Sequence, residues 1–243
     1  MRINKYIALC GLSSRRKSEE LITSGGVAVN GKTVTDLATQ IDEEKDTVTV
    51  NGQKLSPPQS FVYYMLNKPK GYVCSLKDDR GRKTVMDLIH TDTRVFPVGR
   101  LDWDSEGMLI LTNDGALTQK LTHPSGETPK TYIVKIEGGI LESELAVLRA
   151  GVVIAGERFS KCGVKVLEKE KDTTRMEVVL HEGKNREIRR MFEAIGKTIT
   201  LLKRVQIGGL RLGGLSRGEY RELKPQEVGR LLQGAKKQIT NDE

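Results

Sequence analysis

The chain has 243 residues, with 40 Lys and Arg against 32 Asp and Glu for a net charge of +8, and is 37% hydrophobic and 30% charged. That length can bury a real core in one large domain or in a large and a small one, and the composition excludes a disordered or fibrous chain. No stretch approaches 18 apolar residues and the basic N-terminus lacks a long apolar run, so neither a membrane span nor a secretory signal is expected and the protein is placed in the cytoplasm.

Cys10, Cys74 and Cys162 lie more than sixty residues apart. That spacing fits no zinc site and leaves an odd thiol in any disulfide scheme, so all three read as reduced packing residues. The positive charge is local. Residues 1–34 hold six Lys or Arg against two acids, whereas residues 35–55 hold five acids and two lysines. An anionic partner would therefore meet the first part of the chain.

In chain order, Ile3, Ile7 and Ala8 recur at helical spacing, and Gly11 can end that helix. Ser13 or Ser14 can cap a second helix, RRKSEELITSG, which buries Leu21 and Ile22 and leaves Arg15, Arg16 and Lys17 exposed at its first turn. Cations there oppose the helix dipole, a small local cost that suits phosphate contact. VAVNGKTV and VTVNGQKL each set alternating Val around Asn-Gly, the strongest short hairpin signal, and close a domain expected over 1–56. SPPQS, Ser56 to Ser60, reads as a linker to a second domain, 61–243.

Beyond it, FVYYMLNKP, YVCSL, MLILTND, TYIVKIEG and TITLLKRVQIG read as strands. TVMDLI, GALTQKLTH, LESELAVLRAG and NREIRRMFEAIG read as helices, with a charged-tip hairpin over CGVKVLEKEKDTTRMEVVLHEG. The irregular order of these elements predicts an α+β fold with a mixed, largely antiparallel sheet and not a doubly wound parallel one. The tail after Leu232 is polar and is expected to fray.

GRLDWDSEGMLILTND, Gly99 to Asp114, places Asp102, Asp104 and Glu106 at alternate positions. A calcium loop is disfavoured because its twelfth position is Asn113, where a bidentate Glu is needed, and because the flanks read as strands. Asp104 and Glu106 read as solvated turn residues. Asp102 differs because it lies between Leu101 and Trp103 with Arg100 nearby, a setting in which a carboxylate can be screened from water and steered by a cation. Downstream, residues 183–221 hold ten Lys or Arg against three Glu. On the helix there, Arg186, Arg189 and Arg190 share one flank, opposite Ile188, Met191, Phe192 and Ile195; planar guanidinium groups in that array suit oxyanions.

GRLDWDSEGMLILTNDG, KTYIVKI and HEGKNREIRRMFEAIG, following RINKYIALCGLSSRRKSEELITSGGVAVNG, resemble the bacterial ribosomal RNA pseudouridine synthases of the RsuA and RluB type over nearly the whole chain. The N-terminal part is similar to the small αL RNA-binding module shared with a ribosomal small-subunit protein and with tyrosyl-tRNA synthetases. The resemblance implies that Asp102 is the catalytic aspartate, that Tyr132 lies against the target base, and that Arg189 pairs with the aspartate, with Arg186 as the fallback. It implies that Arg100 helps displace the base, and it leaves Arg2, Lys5, Arg15, Arg16, Lys17 and Arg190 as further RNA contacts. Implied too are a ribosomal RNA or subunit-precursor partner, no cofactor, no metal, no membrane and a monomeric state. KDDRGRKTVMDLI and PSGETPKTY favour the large-subunit branch. A small-subunit enzyme and a non-catalytic assembly factor are the alternatives.

Overall fold

The computed structural model of the protein describes residues 1–123 and 127–233. The polar tail beyond Gln233, and residues 124–126 in the approach to Tyr132, lie outside the described residues. The chain forms two compact units. One is Met1–Val62 together with Thr91–Val95 and Asn113–Gly115; the other comprises Tyr63–His90, Phe96–Thr112 and the chain from Ala116 onward.

The first unit opens with α1 (Ile3–Leu9) and α2 (Arg15–Thr23). Ser14 caps α2, its side chain accepting from the Lys17 amide at 3.2 Å. Then come β1 (Val27–Val29), β2 (Lys32–Thr33), β3 (Val48–Val50) and β4 (Gln53–Lys54), paired antiparallel in the order β2-β1-β3-β4. Both Asn-Gly pairs form the hairpin turns expected of them, with φ of +50° and +79° at Asn30-Gly31 and +48° and +81° at Asn51-Gly52. Ile3, Tyr6, Ile7, Ile22, Val27, Ile41, Val48 and Val50 are buried together. The helices and the sheet thus share one small core, and Arg2, Lys5, Arg15, Arg16 and Lys17 are all left exposed.

The second unit is built on β5 (Tyr63–Lys68), β6 (Phe96–Val98) and β7 (Glu106–Thr112), followed by α3 (Gly115–Thr122), β8 (Lys130–Glu137) and α4 (Glu142–Ala150). A hairpin, β9 (Val153–Ile154) and β10 (Glu157–Arg158), and a second, β11 (Gly163–Lys169) and β12 (Thr173–Leu180), precede α5 (Glu187–Ala194). The chain closes with β13 (Ile199–Ile207), β14 (Leu210–Arg211), β15 (Tyr220–Glu222) and α6 (Pro225–Leu232). The main path of the sheet runs β11-β12-β8-β13-β7-β5-β15, with β14 on β13 and β6 on β7. Among the described strand pairs only β13 with β7 is parallel, so the sheet is mixed and mostly antiparallel, as the element order predicts.

One expectation fails in this unit, and another holds in shortened form. YVCSL is not a strand. Val73 forms only an isolated bridge to Thr84, and the edges of β5 are already taken by β7 and β15. TVMDLI forms a single 3₁₀ turn, Val85–Leu88, under a Thr84 cap. At the centre, every residue of β7 is buried. Gly107 is needed there: its φ is +106°, and an added Cβ would fall 2.2 Å from the Arg204 carbonyl oxygen on the neighbouring parallel strand.

Candidate active site

The segment Gly99–Ser105 joins β6 to β7 and carries Asp102 into a cavity of about 560 Å³. Local sequence decides its shape. Gly99 takes φ +71°, Leu101 turns inward to the core, and Ser105 donates its amide to the Asp102 carbonyl at 3.1 Å. Three outside groups then pin the loop. The Leu101 amide donates to Cys74 Sγ at 3.3 Å, and the Trp103 carbonyl accepts from the Gly71 amide at 2.8 Å. Lys68, fully buried at the end of β5, donates its ammonium to the carbonyls of Asp102 at 3.0 Å and Ser105 at 2.8 Å. Burial pushes the Lys68 ammonium below its ordinary pKa, and the carbonyl oxygens replace the water it lost.

Asp102 and Tyr132 both line this cavity, and so do Arg100 and Arg186. Asp102 is half-buried between buried Leu101 and exposed Trp103. Tyr132 is buried on β8, where its cross-strand partner on β13 is Arg204. Arg100 is exposed. Arg186 stands just before α5 in the left-handed region, φ +50°, a conformation unfavourable for a side chain of this size and held by the loop around it.

The expected Asp102–Arg189 pair is replaced by another. Arg189 Nε lies 3.2 Å from Asp104 Oδ2, and its Nη2 donates to the Asp104 carbonyl at 3.0 Å. Arg186 Nη1 also reaches Asp104, at 3.3 Å. Asp104 is therefore a bridge between the loop that carries Asp102 and α5, not a free turn residue. Asp102 acts on Arg189 through space only, opposing the fall in its pKa that burial causes. Glu106 departs further from expectation: it is the first residue of β7, is 3% exposed, and pairs with Arg217 at 3.1 Å.

Arg190 does not join its neighbours. Its Nη1 lies 2.6 Å from Glu157 Oε2 on β10, and its guanidinium sits 4.5 Å from the centre of the Phe159 ring. The three arginines of one flank thus diverge, because the acids that hold them come from two separate segments of chain. Asn113, the residue that disfavoured a calcium loop, uses its side chain to accept from the Val62 amide and donate to the Ser60 carbonyl. No cluster of three His, Cys, Asp or Glu suited to a metal occurs among the described residues.

Lys130, Glu187 and Arg204 also line the cavity, and nothing in the sequence reading gave them a role. Arg204 is 3% exposed, its Nε donating to the Met108 carbonyl at 2.8 Å; Glu187 is 4% exposed and accepts from the Lys184 amide at 2.9 Å. One signal was available: Lys130 stands two residues before Tyr132, and alternate residues of a strand share a face.

A cavity in one unit that gathers a carboxylate, a tyrosine and several cations, together with an exposed basic helix in the other unit, suits an enzyme that works on RNA. The chain belongs to the RNA pseudouridylate synthase family, whose model matches residues 62–194, and it carries an S4 domain over residues 1–48. A Bacillus subtilis protein described as ribosomal large subunit pseudouridine synthase B is 43% identical over 95% of each chain. An Aquifex aeolicus protein described as an uncharacterized RNA pseudouridine synthase is 39% identical over 96% of this chain and 94% of its own. A crystal structure of a pseudouridylate synthase superposes with a TM-score of 0.70 at 30% identity, covering 95% of this chain and 99% of the other. The resemblance drawn from the motifs is borne out.

Proposed function

We propose that this enzyme converts a uridine of large-subunit ribosomal RNA into pseudouridine in the cytoplasm, with the small N-terminal unit holding the RNA and Asp102 carrying the reaction. The observation that carries this reading is that Asp102 and Tyr132 open into one cavity of about 560 Å³, room enough for a single extruded nucleotide. The large-subunit assignment is supported by the described substrate of the Bacillus relative and by that of an Arabidopsis protein described as a putative chloroplastic ribosomal large subunit pseudouridine synthase, 37% identical over 95% of this chain.

Stacked uridine must first leave the helix at a cost of a few kcal/mol. Arg100, exposed at the cavity, is suited to fill the space left behind. Tyr132 offers the extruded base an aromatic face, worth roughly 1–3 kcal/mol. Asp102 then acts as nucleophile or as the base that removes a sugar proton, while the N1–C1′ bond breaks, the uracil turns, and C5 joins C1′. Arg189 holds the loop through Asp104 and keeps positive charge near Asp102. The reaction is an isomerisation without net redox or hydrolytic change, so the reading assigns no metal or organic cofactor to it.

Release of tritium from ribosomal RNA labelled at uridine C5 tests the proposal. Wild-type enzyme should release it from large-subunit RNA, and Asp102→Asn should release none while still binding that RNA. No release by the wild type from either free or assembled large-subunit RNA would overturn it.

A further inference from the structure

The inner wall of the cavity holds charged groups whose hydrogen-bonding capacity is only partly used. Lys130 donates to the Thr128 carbonyl at 3.0 Å, and an ammonium has three donors. Arg204 Nη2 and Glu187 Oε1 are buried without a hydrogen-bond partner among the described residues. Buried polar atoms are almost always satisfied, so a cluster of unsatisfied ones at one cavity marks a place built for a polar ligand.

Strand geometry directs these groups. Lys130 and Tyr132 are alternate residues of β8, and Arg204 is the cross-strand partner of Tyr132, so all three side chains leave the sheet on the same face. Glu187 reaches the cavity from the start of α5. The wall thus sets two cations against one carboxylate, next to where Tyr132 would hold a base.

We propose that Lys130, backed by Arg204, is a further catalytic residue, which donates hydrogen bonds to the carbonyl oxygens of uracil and stabilises the negative charge on the base once it is detached. This rests on the reading in the preceding section. When the N1–C1′ bond breaks, its electron pair stays on the uracil, spreading over the ring and O2 and O4. After the ring turns, C5 bonds to C1′ and gives up its proton while N1 takes one. Lys130 keeps its proton throughout and acts by charge, like the preorganised donors of an oxyanion hole.

The role requires a protonated Lys130. Burial and Arg204 push its pKa down to about 8, with Glu187 opposing them. The other titratable and charged groups around the cavity are Asp102, Tyr132, His123, His181, Glu182, Lys184, Arg100 and Arg186. Turnover should therefore fall as pH rises through about 8.

The experiment compares wild type, Lys130→Met and Lys130→Arg by tritium release and RNA affinity, on large-subunit RNA and across pH. Lys130→Met should lower kcat by about 10²–10³ with RNA affinity within about threefold of wild type. Lys130→Arg should restore at least tenfold of that loss and abolish the alkaline fall, since a guanidinium stays charged. Should Lys130→Met fail to fold, the pH profile of Lys130→Arg decides alone. Undiminished kcat in Lys130→Met, a loss entirely in RNA affinity, or an alkaline fall retained in Lys130→Arg would each overturn the assignment and leave the proposed function standing. A wild type that releases no tritium overturns both.

Discussion

Asp104 illustrates how one carboxylate can hold a loop in place without lining the cavity itself. Its two arginine partners come from the start of α5, and its own backbone belongs to the loop that carries Asp102, so it ties the two together. Arg189 is the more sheltered partner, with a side chain 14% exposed, and a guanidinium in that position needs an acceptor. Gly107, five residues after Asp102, acts at the same scale through absence of a side chain. Gly107→Ala would place a methyl group against the Arg204 backbone in a conformation that L residues avoid. It should cost at least about 3 kcal/mol and lower the thermal midpoint measured by calorimetry. A variant with unchanged melting would show that β7 and β13 can separate without harm.

At the scale of elements, α6 depends on an ion pair that closes its first turn. Glu227 accepts from the Lys224 amide at 3.0 Å and from Arg221 on β15 at 2.6 Å, which joins helix to strand. The hydrogen bonds from Arg221 and then from Lys224 hold its carboxyl down at about 2, from an ordinary 4.5. A depressed carboxylate contributes stability that is fully present above its unfolded pKa and is lost as pH falls through the folded one. The pair is partly exposed, so Glu227→Gln should cost only about 1 kcal/mol at pH 7. The difference from wild type in urea unfolding should shrink below about pH 4.5 and vanish near pH 2. A difference that persists at acid pH would mean that Glu227 acts by packing instead. The two Asn-Gly hairpins need no such partner, because their turn conformation is set by the residues themselves.

For the molecule as a whole, the net charge of +8 matters through its placement. Arg15, Arg16 and Lys17 are exposed on α2, whose Ile22 is fully buried, so the helix packs by one face and leaves its cations to solvent. Each cation that meets a phosphate contributes about 0.7–0.9 to the slope of log affinity against log salt. Replacing all three by Ala should flatten that slope by about 2–3 and alter turnover at saturating RNA far less. An unchanged slope would remove α2 from the RNA contact.

The sequence by itself determined what depends on near neighbours. Asn-Gly fixed the hairpins, Ser14 the start of α2, and alternating and helical periods the order of strands and helices. It also marked Asp102, because a carboxylate within a Gly-Arg-Leu-Asp turn followed by a buried strand is a local pattern. The partners of that carboxylate depended on which distant segments the sheet brings together. Arg189 meets Asp104 because α5 packs against the loop after β6, and Arg190 turns aside because Glu157 lies on a hairpin 33 residues earlier. Lys130, Glu187 and Arg204 looked like ordinary polar residues of strand and helix; the pairing of β8 with β13 turned Lys130 and Arg204 to one face, and the start of α5 brought Glu187 to the same cavity. Local backbone preference is written residue by residue, whereas the direction in which a charged side chain points is settled by which strand becomes its neighbour.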